Sequence, residues 1–147
     1  RTFKMNQILW YATFIFCVAQ VFSKEMPKEF LNDAALQCFK ELKISQEKLS
    51  TILEDDNHIR TEDPDLYNVM ECTFNKNYSL KDNNEFDGEV LIKEISDKLI
   101  PLLKKDTEDN LQAAEKVFEV CKNPDGDRLA KRVKNFHNCV IDELNKI

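Results

Sequence analysis

The sequence predicts an all-α fold, a compact six-helix domain stapled by disulfides, and three observations carry that expectation. Glycine occurs twice and proline four times in 147 residues, well below average usage. Apolar residues recur at i, i+3, i+4 and i+7 and nowhere alternate convincingly, which marks helices with one buried face. Cys38, Cys72, Cys121 and Cys139 all fall on those predicted helices.

The first helix is expected from about Lys28 to Lys43, with Leu31, Ala35, Cys38 and Leu42 on one stripe and Ala34 and Phe39 beside it. The second covers roughly Gln46 to Asp56, with Ser45 as N-cap and Leu49, Ile52 and Leu53 inward. Asp63 caps the third, and Pro64 takes its first position, where a missing N–H costs nothing. Leu66, Val69, Met70, Thr73 and Phe74 lie on its neighbouring faces, and the polar stretch Asn75 to Phe86 is a connection. The fourth helix starts near Asp87-Gly88 and buries Leu91, Ile95, Leu99 and Leu102, with Pro101 disturbing its last turn. Thr107 caps the fifth, which carries Glu108 and Asp109 in its first turn and the stripe Leu111, Ala114, Val117, Phe118 and Cys121. Asn123-Pro124-Asp125-Gly126 is a turn signal. The sixth helix runs from about Asp127 to Asn145, with Leu129, Val133, Phe136, Val140 and Leu144 inward.

Ahead of these helices, Arg1 and Lys4 precede an apolar run from Ile8 to Phe22, followed by Ser23 and Lys24. The run falls short of the roughly 20 residues that a membrane span needs and has the layout of a secretory signal peptide. The expectation is a start at Met5, with any earlier residues as leader, cleavage after Ser23, and a single mature domain over residues 24–147. The alternatives are an anchor or a buried N-terminal helix. Cleavage removes two cations and no acid, so the formal charge moves from −6 to −8. Such a surface repels phosphate backbones and anionic lipid, which argues against nucleic-acid partners. Cleavage also discards Cys17 and leaves four cysteines. In a secreted chain these imply two disulfides with three connectivities; in a cytosolic one they would be buried thiols.

Little in the chain points to catalysis. Two glycines cannot build a phosphate loop, and His58 and His137 stand apart from any Ser or Cys nucleophile pattern. They read as ordinary, partly exposed histidines with the capacity to titrate near neutral pH. Asn83 to Glu94 superficially follows a calcium loop but begins with Asn, so Asp87 and Gly88 are read as a helix start and no metal or other cofactor is expected. Asn77-Tyr78-Ser79 is an N-glycosylation sequon. The stripe Phe118, Val133, Phe136 and Val140 suits either a pocket wall or a solid core, and the residues alone favour core.

The cysteine spacing resembles that of the insect odorant-binding proteins. Cys38, Cys72, Cys121 and Cys139 fall where that family has its first, third, fourth and sixth cysteines, while its second and fifth would stand at Asn68 and Ala130. Those two pair with each other in the family, so their joint loss resembles the four-cysteine "minus-C" branch. Tyr67 to Lys76 (YNVMECTFNK) and Phe86-Asp87-Gly88-Glu89-Val90 add to the likeness, which covers the mature chain. The resemblance implies pairings Cys38–Cys72 and Cys121–Cys139, an enclosed apolar cavity, and extracellular carriage of odorants, pheromones or other semiochemicals in place of enzymatic activity. It implies as partners a small hydrophobic ligand and a membrane chemoreceptor, no membrane insertion of the mature chain, and a monomer or weak homodimer. It turns the core-or-pocket question toward a pocket. Candidate lining residues are Leu53, Met70, Phe74, Leu91, Ile95, Leu99, Ala114, Val117, Phe118, Val133, Phe136 and Val140. Tyr67 or Tyr78 would offer a hydroxyl, and the tail after Cys139 a lid. The rivals are a carrier of the same fold outside smell (venom, salivary or reproductive) and a secreted helical signalling protein with a filled core.

Overall fold

Six α-helices, a 3-10 helix and a π turn follow one another in the computed structural model, which describes residues 32–147. The predicted leader at 1–23 and the first turn of the first predicted helix lie outside the described residues. Helix α1 (Asp33–Glu41) starts where Asn32 Oδ1 accepts from Ala35 N at 2.8 Å. A 3-10 helix follows over Gln46–Thr51, with Ser45 as its cap. Then come α2 (Pro64–Lys76) and α3 (Gly88–Glu94), capped by Asp63 and Asp87. The α3 helix continues through a π turn (Ile95–Leu99) into the short α4 (Ile100–Leu102). Last are α5 (Asn110–Cys121) and α6 (Leu129–Leu144).

Local chemistry explains most of these boundaries. Asp63 Oδ1 accepts from Asp65 N, and Asp87 Oδ1 accepts from Glu89 N and Val90 N, so each carboxylate satisfies donors that the first turn leaves unpaired. That is the use to which the segment resembling a calcium loop puts Asp87. Pro101 leaves the Asp97 carbonyl without its usual donor, and its ring crowds that carbonyl. The helix answers one residue earlier by widening, with Ile100 N donating to Ile95 O five residues back.

Three expectations need correction. The second predicted helix ends at Thr51 rather than Asp56, because Glu54, Asp55 and Asp56 would set three carboxylates against the negative end of its dipole. The chain instead makes a tight loop closed by a bridge between Leu53 and Ile59, with Asn57 in the left-handed region at φ 65°. A second loop repeats that construction within the predicted connection: Leu80 bridges Phe86, and Asn84 has φ 62°. In both, the residue after the bridge position donates to a carbonyl four residues on, Glu54 to His58 and Lys81 to Glu85. Secondly, α5 is capped by Asp109, whose Oδ1 accepts from Gln112 N, while Thr107 bonds to the Asn110 side chain. Thirdly, Leu42 and Leu111, expected inward, are exposed.

The Sγ atoms of Cys38 and Cys72 are 2.00 Å apart and those of Cys121 and Cys139 2.02 Å, so α1 is bonded to α2 and the end of α5 to α6. The contact of α2 with α6 has a polar clasp instead. Glu71 Oε1 accepts from Arg128 Nε at 2.8 Å and from Ala130 N at 3.1 Å. Arg128, at the cap position of α6, makes no capping bond with its own side chain. A carboxylate from another helix therefore supplies the cap, and Arg128 holds the Glu71 pKa below its ordinary value.

Three apolar clusters result. The largest joins α3, the π turn, α5 and α6 around Ile95, Ile100, Ala114, Val117 and Phe118. A second joins α1, the 3-10 helix and α2 around Phe39, Leu66 and Val69. The third holds Ile59, Tyr67, Met70 and Ala130.

Candidate binding cavity

Where the three clusters meet, they do not close on one another. A cavity of about 260 Å³ remains, lined by Phe39, Leu49 and Val69 of the second cluster, Ile59 and Met70 of the third, and Phe136 and Val140 of the first. Asn32, Ala35, Ile52, Leu53, Thr73, Phe74, Leu99, Val133 and His137 complete its wall. No Lys, Arg, Asp or Glu is among these residues. An aromatic chain joins the cavity wall to the main core: Phe74 and Phe136 line the cavity, and Phe86 stands between them with ring centroids 5.1 Å from each.

Of the twelve residues singled out from sequence, the fold brings seven to the cavity: Leu53, Met70, Phe74, Leu99, Val133, Phe136 and Val140. The other five, Leu91, Ile95, Ala114, Val117 and Phe118, are packed in the main core. The reason is close approach of α3 to α5. A Cβ at Gly88 would sit 2.9 Å from Phe118 Cε1, so the glycine lets the ring close that side solid. Residues that the sequence did not single out come mainly from α1 and the loops. Phe39, Leu49 and Ile52 read only as inward positions, and Ile59 lies on no helical stripe at all. The tail does not form a lid. Val140, Ile141 and Leu144 bury the last turns of α6, and Lys146 and Ile147 border a separate open groove with Thr107 and Gln112.

The polar groups separate into used and unused. Tyr67 turns its hydroxyl away from the ligand role expected of it, donating to Glu62 at 2.6 Å and accepting from Lys134 at 2.9 Å. Tyr78 is 81% exposed and does not line the cavity. Asn32 is spent on the α1 cap. Among the described residues, Thr73 Oγ1 alone is a buried side-chain oxygen or nitrogen with no hydrogen-bond partner. Such an orphan costs about 1–3 kcal/mol.

One rim of the cavity is the loop from Leu53 to Ile59, and a single helix holds it. Asn138 of α6 accepts from Ile59 N at 2.7 Å and donates to Ile59 O at 2.9 Å. The His137 ring nitrogen Nε2 donates to Asn57 O at 2.7 Å, and His58 Nε2 donates to Asp142 Oδ1 at the same distance. His58 Nδ1 faces Asp56 oxygens at 3.2 Å, so both ring nitrogens meet acceptors. The bond to Asp142, with help from Asp56, raises the His58 pKa, whereas burial lowers that of His137.

These shifts act in opposite senses. A lowered histidine pKa gives stability that is complete above the unfolded value of about 6.5 and lost as pH falls through the folded value. A raised one gives stability that is complete below about 6.5 and lost as pH rises through the folded value. His137→Gln is therefore expected to lose less stability than the parent on acidification, and His58→Gln less on alkalinisation. Urea unfolding followed by helical circular dichroism across about pH 5 to 8 checks this; three parallel curves would refute it.

The family model described as the PBP/GOBP family matches residues 19–143. No curated protein and no solved structure matches the chain.

Proposed function

Because the chain belongs to the PBP/GOBP family, a family of binding and transport proteins and not of enzymes, we propose that it carries small hydrophobic molecules in the cavity between α1, α2 and α6. The single observation that supports this reading is the 260 Å³ apolar space left open where three clusters meet. An engineered cavity of about 150 Å³ takes up benzene, so simple scaling suits a ligand of roughly ten non-hydrogen atoms. Desolvation supplies the affinity, at about 25 cal/mol per Å² of apolar ligand surface removed from water. The seven lining residues that the sequence singled out would then be ligand contacts.

The finer reading is an extracellular carrier of odorants or other semiochemicals, of the four-cysteine subtype, released from the segment 1–23. No described helix is long and apolar enough to cross a membrane. A carrier with the same physics outside smell differs only in tissue.

The test uses the chain expressed with its leader and purified with both disulfides formed. N-phenyl-1-naphthylamine should brighten on binding, with a Kd on the order of micromolar, the range that partial burial of such a ligand supports. The sequence has one tryptophan, Trp10, which lies in the proposed leader, so protein background is low. A folded, correctly bridged sample that brightens no apolar probe would sink the carrier reading and favour a filled-core signalling protein. The mass of the secreted chain checks the cleavage site.

A further inference from the structure

We propose that Asn77 carries an N-linked oligosaccharide, attached before the end of α2 folds. The inference rests on the reading of this chain as secreted and adds a modification site to it.

Asn77-Tyr78-Ser79 is the sole triplet of its kind in the sequence, an Asn followed by a residue other than Pro and then by Ser or Thr. The fold treats its three residues differently. Asn77 stands just past Lys76, the last residue of α2, where its backbone N–H donates to Thr73 O. Its side-chain amide makes no hydrogen bond within the described residues, yet it is no buried orphan, since Thr73 Oγ1 is the sole such atom among them. The amide therefore reaches water, and a sugar on it displaces no hydrogen bond of the fold.

Tyr78 turns the chain at this point. Its φ of 54° lies in the left-handed region, which a bulky side chain rarely enters, and its ring is exposed. One residue on, the chain has gone inward. Ser79 is 2% exposed, its N–H donates to Phe74 O at 3.2 Å, and its carbonyl accepts from Asp87 N at 2.9 Å. The acceptor amide thus faces solvent while the residue that completes the triplet is walled in.

That division sets the order of events. A transferase must read residues 77 to 79 together, and it can do so only while Ser79 is still accessible. Attachment forms a bond from the Asn77 amide nitrogen to the anomeric carbon of an oligosaccharide carried on a polyprenyl diphosphate. The bond from that carbon to the diphosphate breaks, the diphosphate leaves with the electron pair, and the amide gives up one proton. Folding competes with this step, because Cys72 lies five residues ahead of Asn77 and its bond to Cys38 fixes the same end of α2. Asn77 is not part of the cavity wall, so the sugar leaves the cavity lining as it is.

The experiment expresses the full chain with its leader in a eukaryotic secretory host and weighs the secreted protein before and after peptide N-glycosidase. The parent should lose the mass of one core oligosaccharide, and Asn77→Gln and Ser79→Ala should lose none. Ser79→Thr, which keeps the hydroxyl, should behave as the parent. A second arm takes protein made in a host without the transferase and offers it to purified oligosaccharyltransferase with lipid-linked oligosaccharide. The reduced and alkylated chain should gain the sugar, and the folded, oxidised protein should gain none. A secreted parent without sugar overturns the proposal, and equal modification of the folded and alkylated samples overturns the order of events. Retention of the parent in the cell with its leader uncleaved overturns the proposal through the secretion reading itself, a result distinct from a secreted chain without sugar.

Discussion

Replacing Val133 by Trp is expected to abolish binding of a ten-atom apolar ligand while leaving the helical fold in place. Val133 is partly buried on α6 and faces both the main core and the cluster around Ile59 and Met70. It also lines the cavity, so an indole there has empty space to enter and need not displace close-packed neighbours. Overpacking a filled core costs about 1–3 kcal/mol, and much of that cost is avoided where a void accepts the ring. The ligand loses what the indole takes. At roughly 25 cal/mol per Å², each 100 Å² left uncovered costs about 2.5 kcal/mol, which is between ten- and a hundredfold in Kd. A ligand of benzene size should lose much less. Probe displacement measures both, and the thermal midpoint shows whether the variant folds. If the larger ligand binds Val133→Trp as well as it binds the parent, the ligand lies elsewhere, with the open groove between Thr107 and Lys146 the next place to look.

The largest effect on stability is expected from the bond between α1 and α2. Cys38 and Cys72 close a loop with a sequence separation of 34. Restricting the unfolded chain over such a loop stabilises the fold by about 4 kcal/mol in the chain-entropy view. Domains of this size have only about 5–15 kcal/mol of net stability. The double variant Cys38→Ala, Cys72→Ala should therefore lose a large fraction of it, with a much lower urea midpoint. It should lose ligand affinity as well, because α1 contributes Ala35 and Phe39 to the cavity wall and would be held there by packing alone. The corresponding pair Cys121 and Cys139, with a separation of 18, should cost somewhat less, about 3 kcal/mol. Equal midpoints for the parent and the first variant would show that the reduced chain is already held in its native arrangement.

What could be read from the residues was what local chemistry settles. Ser45, Asp63 and Asp87 cap their helices because a side-chain oxygen reaches N–H groups two or three residues ahead, and nothing distant intervenes. The stripes on α2 and α6 were legible for the same reason, since periodicity identifies the buried face. Periodicity says nothing of what that face meets. Phe118 and Phe136 both belong to inward stripes, yet Phe118 packs on Gly88 in the core and Phe136 lines the cavity. The second predicted helix failed where a carboxylate run outweighed an apolar pattern. Ile59 could not be found by any stripe, because a loop bridge and Asn138, 79 residues away, bring it to the cavity.

The sequence by itself determined an all-α chain and the faces its helices bury, and it left Cys38, Cys72, Cys121 and Cys139 open to three pairings until the family resemblance implied two of them; spacing of three or four residues is enough for the first two, because the forces involved act within one turn. Tertiary structure brought the implied cysteine pairs together, and it alone decided that Glu71 caps a helix not its own and that Thr73 Oγ1 is buried without a partner. Those outcomes depend on how closely the helices approach one another. Close approach is a property of pairs of surfaces, and no single stretch of chain encodes it.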